Sequence, residues 1–303
     1  MARYHVTAFY CFASLSEDEV ARVETALSDL AEAEKDLGGL VILAPEGING
    51  TIAGSEGTVS KLKEVVRSFE PFHEILFKDS FCRLAPFPRF KTKRREEIVT
   101  LHRTDLVPTE RSNNHLSPEE WNEMMAQDDV VVIDTRNAYE TRLGMFEGAV
   151  DPNIDTFSEF GEFVQQSGWQ RDQKVLMYCT GGIRCEKAIL EMQQLGFENV
   201  YQLEGGILRY LKEFPDGKFN GECFVFDHRV AVDRSLEASE RFRLCPHCGD
   251  PGDQRITCVR CSRGVVICES CRKRAERNTC SKDCSHHFLR QQSLAESSSS
   301  SSE

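Results

Sequence analysis

The pattern of apolar and polar positions divides the chain into stretches of different period. Residues 3–13 read as a strand. Residues 16–36 repeat their apolar positions at helical spacing, and Ser16 and Glu19 stand in capping-box relation at the start. Leu40-Val41-Ile42-Leu43 and Thr51-Ile52-Ala53 predict two strands around a turn region holding Asn49-Gly50, a hairpin signal. Residues 57–69 predict a second helix and 74–84 a further strand. The order β-α-β-β-α-β over residues 1–84 predicts a ferredoxin-like module. Nothing in that module by itself shows catalytic chemistry.

Residues 85–115, with Pro86, Pro88 and Pro108 and the basic run Lys91-Thr92-Lys93-Arg94-Arg95, read as a linker. From 116 to 219 the period changes. Ser117-Pro118-Glu119-Glu120 offers an N-cap and a first-turn proline. Val130-Val131-Val132-Ile133-Asp134 and Val175-Leu176-Met177-Tyr178 are continuous apolar runs of the kind buried in parallel sheets. A helix over 185–195 ends at Gly196, and Asn199-Val200-Tyr201-Gln202-Leu203 makes a third strand. Alternating strands and helices predict a compact parallel sheet, whose functional crevice lies beyond the carboxyl ends of the strands.

One such strand end carries the candidate chemistry. Cys179 follows Tyr178 directly, and Thr180-Gly181-Gly182-Ile183-Arg184 leads into a helix. Backbone N–H groups converge on a sulfur placed there, the helix dipole adds positive potential, and Arg184 adds a full charge; each favours the thiolate. Six residues from Cys179 to Arg184 make a ring better sized for a sulfane sulfur than for a phosphate. Cys185 sits at the helix start, where it either packs or resolves an oxidised Cys179. Asp134, Arg136 and Glu140 are expected as a supporting ion pair near the preceding strand end.

Charge and cysteine usage narrow the setting. The 303 residues suggest two or three domains, and the net charge of −12 excludes a general nucleic-acid coat protein. Residues 241–290 nevertheless carry a net +6, so a basic module rides on an acidic body and can meet a polyanion locally. The opening Met1-Ala2-Arg3-Tyr4-His5-Val6-Thr7 has no long apolar core, so no signal peptide is expected, and no segment approaches the length of a membrane span. The expected compartment is a reducing cytoplasm, which makes the 13 cysteines ligands or nucleophiles rather than bridges.

Eight of those cysteines fall between 245 and 284, within a module expected over 220–290, as Cys245/Cys248, Cys258/Cys261, Cys268/Cys271 and Cys280/Cys284. Paired Cys-x-x-Cys spacing predicts two structural zinc ions, each closed by four thiolates. Alternate pairing leaves 19 residues between Cys248 and Cys268 and 18 between Cys261 and Cys280. Sequential pairing leaves 9 and 8, so the interleaved arrangement is favoured. His247, His286 and His287 are substitute ligands. Residues 291–303 are expected as a disordered serine-rich tail.

Three motifs together carry a family resemblance. The first is Ala44-Pro45-Glu46-Gly47-Ile48-Asn49-Gly50-Thr51-Ile52-Ala53-Gly54, the second the Cys179–Ala188 run, and the third Gly221-Glu222-Cys223-Phe224-Val225-Phe226-Asp227-His228-Arg229-Val230. The second, with Ile133-Asp134-Thr135-Arg136 and Gly144-Met145-Phe146-Glu147-Gly148-Ala149, resembles a rhodanese domain. All three resemble the tRNA uridine hydroxylase family over roughly residues 3–290. That resemblance implies an acylphosphatase-like first domain, a rhodanese domain and a cysteine-rich module. It implies O2-dependent formation of 5-hydroxyuridine at the wobble position of tRNA, with a persulfide on Cys179. It also implies a basic strand where Pro86-Phe87-Pro88-Arg89-Phe90-Lys91-Thr92-Lys93 looks less regular than expected.

The sequence names neither an oxygen-activating cofactor nor the sulfur donor or reductant. It holds no G-x-G-x-x-G fingerprint, and no triad of two histidines and a carboxylate stands out by spacing. Two classes of function stay open at this level. One is an enzyme, either the hydroxylase or a sulfurtransferase working through Cys179. The other is a tRNA- or protein-binding scaffold whose loop only carries sulfur.

Overall fold

The computed structural model describes residues 3–108 and 114–299, with side chains to residue 293. Two compact units emerge: residues up to Asp227 with Val232–Ala238, and His228–Ala231 with the chain from Ser239 onward. The first unit holds two large sheets, besides the two-stranded pairing of Gly144–Phe146 with Phe219–Gly221.

The first sheet contains β1 (Tyr4–Phe12), β2 (Gly38–Ala44), β3 (Gly47–Gly54), β4 (Phe77–Cys82) and β5 (Phe90–Arg94), in the order β4-β1-β3-β2-β5. Helices α1 (Glu17–Ala33) and α2 (Glu56–Arg67) cover one face. Ser16 and Glu19 form the expected capping box. Val20, Val23 and Leu27 on α1 and Val59, Leu62 and Val66 on α2 recur at helical spacing and pack on Val41, Ile48 and Ile52.

Two expectations are corrected here. The hairpin turn is Pro45-Glu46, because Ala44 pairs with Gly47, and Asn49-Gly50 lies inside β3. A Cβ on Gly47 would stand 2.0 Å from the Cys11 carbonyl oxygen, so only glycine lets the chain reverse there. Within the expected linker, Phe90–Arg94 is a strand, parallel to β2. Its lysines Lys91 and Lys93 face solvent on the sheet edge, where charge discourages further strand pairing.

The second sheet is fully parallel, in the order β6 (His115–Leu116), β10 (Asn199–Leu203), β9 (Lys174–Tyr178), β7 (Val130–Asp134). Between them run α3 (Pro118–Met125), α4 (Ala138–Thr141), the short strand β8 (Gly144–Phe146), α5 (Phe160–Gln166), α6 (Ile183–Gln194) and, after β10, α7 (Gly206–Glu213). Alternation along β9 explains why its run is wholly apolar. Val175 and Met177 join Ala188, Ile189 and Met192 on one face, and Leu176 and Tyr178 join Trp121, Ile207 and Tyr210 on the other.

Cys223 and Val225, just beyond the expected 219/220 boundary, pack into this second core. The second unit contains a hairpin of Gln254–Thr257 with Gly264–Ile267 and a helix over Lys282–Ser299. That helix occupies most of the expected tail, because Leu294, Ala295 and Glu296 are strong helix formers that extend a helix already started. Residues 300–303 and the 109–113 part of the linker lie outside the described residues.

Candidate active site and cysteine clusters

Cys179 leaves the C-terminal end of β9, and α6 begins four residues later. Gly182 caps α6 at φ +105°, which turns its N–H onto the sulfur at 3.0 Å. The Arg184 N–H donates to the same sulfur. The N-terminus of α7 fixes the loop from behind. Ile207 and Leu208 N–H donate to the Cys179 and Thr180 carbonyls at 3.0 and 3.2 Å. Gly206 lies so close that a Cβ would meet the Cys179 oxygen at 2.5 Å.

Burial alone would raise the Cys179 thiol. The Cys185 S–H donated to the sulfur, the Arg184 charge and the two backbone N–H groups outweigh it and bring Cys179 down to about 5. Cys185 moves the opposite way, driven up first by burial and then by its bond to Cys179, so it stays a thiol. Cys185 also lies 3.5 Å from Thr135 Oγ1. Arg184 is buried and held in a fork by both Glu140 oxygens at 2.6 and 2.8 Å.

The structure therefore brings Cys179, Thr180, Gly181, Gly182, Ile183, Arg184 and Cys185 into one cradle. It sorts the expected charged cluster into two pairs. Glu140 serves Arg184, whereas Asp134 holds Arg136 at 2.6 Å and Arg136 also bonds the Gly144 carbonyl at 2.6 Å. The Asp134–Arg136 pair is fully buried and fastens β7 to β8.

Sequence reasoning missed three residues that gather around this loop. Lys78 of β4 donates to the Gly181 carbonyl and lies 4.7 Å from the Tyr10 ring centre. Burial pulls Lys78 down to about 8. Tyr10 of β1 donates to Glu186 at 2.9 Å, and His115 of β6 stands 3.1 Å from the same oxygen. These contacts join residues 68 to 176 positions apart, so no local pattern announces them. A further buried group joins the two sheets. Lys187 Nζ lies 2.6 Å from both Glu46 Oε2 and Glu97 Oε2, and Glu97 also accepts the N–H groups of Leu101 and His102.

In the second unit the sulfurs of Cys245, Cys248, Cys268 and Cys271 gather within 4.8 Å of one another, as do those of Cys258, Cys261, Cys280 and Cys284. This is the interleaved arrangement. Measured separations of 3.4–3.9 Å match the ~3.8 Å expected between four sulfurs each about 2.3 Å from a zinc ion. Four thiolates also suit this soft-ligand ion, and Arg277 reaches Cys271 at 3.2 Å, offsetting the site's negative charge. The substitute histidines are not ligands. His247 bonds the Thr279 carbonyl at 2.8 Å, and His286 and His287 are exposed.

Among the described residues no helix is long and apolar enough to cross a membrane. Family models agree with the three-part reading. The UPF0176 acylphosphatase like domain matches residues 4–98, the Rhodanese-like domain residues 117–213 and the Rhodanase C-terminal region residues 220–285. A tRNA uridine(34) hydroxylase of Bdellovibrio bacteriovorus is 48% identical, covering 94% of this chain and 81% of the relative. Enzymes of the same name from Bartonella quintana and Bartonella bacilliformis are 40% and 42% identical, covering 90% of each chain and 82% of each chain respectively. The chain belongs to the tRNA uridine(34) hydroxylase family.

Proposed function

We propose that this protein hydroxylates uridine 34 of tRNA to 5-hydroxyuridine, with O2 as co-substrate and Cys179 as the reacting sulfur. The kinship to the named hydroxylases over nearly the whole chain carries the reading, and the cradle supports it chemically. The Gly182 and Arg184 N–H groups and the Arg184 charge hold the sulfur as an anion, which can take up a sulfane sulfur as a persulfide. Glu140 keeps Arg184 aimed, and Lys78 pins the Gly181 carbonyl so that the neighbouring N–H groups stay convergent. One oxygen atom enters the C5–H bond of uracil; an external reductant supplies the two electrons that reduce the other to water. Zinc, held by the eight cysteines, is structural, since four thiolates leave no ligand position for water. The basic segments 91–95 and 272–277 suit phosphate contacts, and the setting is the cytoplasm.

The test is complementation. Cells lacking this gene and any second hydroxylation pathway should regain 5-hydroxyuridine at position 34 with the wild-type chain and not with Cys179→Ser. Growth under 18O2 should label the new hydroxyl. Unlabelled product, or equal product from the serine variant, rejects the reading in favour of plain sulfur transfer.

A further inference from the structure

Large apolar side chains left on a surface need a reason when they cluster with reactive groups. Phe226 is 59% exposed, the one aromatic among the exposed large apolar residues described. It ends the segment Cys223-Phe224-Val225-Phe226, whose Cys223 and Val225 point into the core of the second sheet. Phe226 instead stands upright on Phe224, ring centres 5.0 Å apart at 88°, and Tyr139 meets Phe224 edge-on at 5.3 Å. The segment is fastened to the reactive loop, because Thr180 Oγ1 donates to the Phe224 carbonyl at 3.4 Å. The Arg184 guanidinium lies 5.8 Å from the Phe226 ring centre.

This ring is not needed to hold Arg184, since both Glu140 oxygens already do so. Nor does it fill the core, since most of its surface stays in water. What it offers is an open aromatic face, stiffened from beneath, on the rim of the loop that carries Cys179.

The geometry points to Phe226 as the stacking platform for the pyrimidine ring of the uridine to be modified. The inference rests on the proposed activity and names the residue that positions its substrate. Single-stranded bases splayed from a loop are recognised by stacking on exposed aromatic side chains, and the anticodon loop presents position 34 unpaired. A stacked base is worth about 5- to 150-fold in affinity. Arg184 beside the ring adds positive potential against the electron-rich edge of uracil.

The test compares Phe226→Ala, Phe226→Leu and Phe226→Tyr in steady-state hydroxylation of tRNA. Alanine and leucine should each lower kcat/KM about tenfold, chiefly through KM, which is about 1.4 kcal/mol. Tyrosine, which keeps an aromatic face, should stay within about threefold of wild type. Melting temperature and Cys179 alkylation should not change in any variant, since the side chain is exposed and the cradle intact. Full activity in the alanine or leucine variant overturns the proposal while leaving the hydroxylase reading in place. A wild-type protein that forms no 5-hydroxyuridine rejects that reading instead, and a second measurement then decides the stacking site alone. Emission of Phe226→Trp should be quenched by an anticodon stem-loop with uridine at 34 and not by the same stem-loop with an abasic 34; equal quenching, or none, overturns the proposal.

Discussion

Lys187→Met isolates the electrostatic seam between the two sheets. The wild-type ammonium sits 2.6 Å from one oxygen of Glu46 and 2.6 Å from one of Glu97, with all three groups buried. Methionine keeps the length of the side chain and removes the charge. The two carboxylates are then left no more than about 5 Å apart, and at an effective dielectric of about 20 they repel by about 3 kcal/mol. Breaking a buried pair elsewhere costs about 3–5 kcal/mol, so the figure is of the expected size. The variant can escape by binding a proton. Relative to an ordinary glutamate near 4.3, that uptake costs about 5 kcal/mol at pH 8 but only about 1 kcal/mol at pH 5. Burial already pushes Glu46 upward in the wild type, which makes it the first to accept. The folded variant therefore holds more protons than its unfolded chain, and its stability falls as pH rises. Urea unfolding followed by Trp121 and Trp169 emission should show a loss of about 3 kcal/mol at pH 8 and about 1 kcal/mol at pH 5. Equal losses at the two pH values, or a loss below about 1 kcal/mol at pH 8, refute the argument.

Three further outcomes are expected. Alkylation of Cys179 by iodoacetamide, followed by peptide mass, should be flat from pH 7 to 9 and fall only near pH 5, where its thiolate takes a proton. Arg184→Met should make that rate climb through pH 8, and a wild-type rate that itself climbs there contradicts the cradle. Lys78→Met should lower hydroxylation about tenfold by freeing the Gly181 carbonyl, with partial rescue in Lys78→Arg; an unchanged rate dismisses the contact. The protein should bind two zinc ions, one for each cysteine cluster. Cys245→Ser with Cys268→Ser should cost one ion and Cys245→Ser with Cys258→Ser both, whereas sequential pairing would reverse the two results.

The features legible in the sequence were those written in local pattern. The strand-to-helix step at Cys179 needs only an apolar run, two glycines and a following amphipathic segment, and all are contiguous. The cysteine clusters were legible because ligand spacing survives without any knowledge of the core. The strand Phe90–Arg94, which the family resemblance implies, was hidden from the local pattern because prolines on one side and a basic run on the other outweigh five alternating residues. An edge strand also gains most of its stability from its neighbour rather than from its own composition. Lys78, Tyr10 and Glu97 were hidden for a different reason. Each is an ordinary surface residue type whose role appears only when the two sheets meet, and no periodicity encodes a contact with residue 181 or 187.

The interleaved cysteines set an order of events in synthesis. In a sequential arrangement the first metal cage would be complete once Cys261 had emerged. Here it waits for Cys271, and the second waits for Cys284. The stretch that carries Cys258 and Cys261 lies inside the loop closed by the first cage, so a chain halted after residue 271 holds one finished cage and half of another. Loading is thereby made interdependent: stripping the first ion frees the loop that presents half the ligands of the second. The second ion should therefore be held less tightly once the first is lost, and no truncation between 258 and 284 preserves both cages.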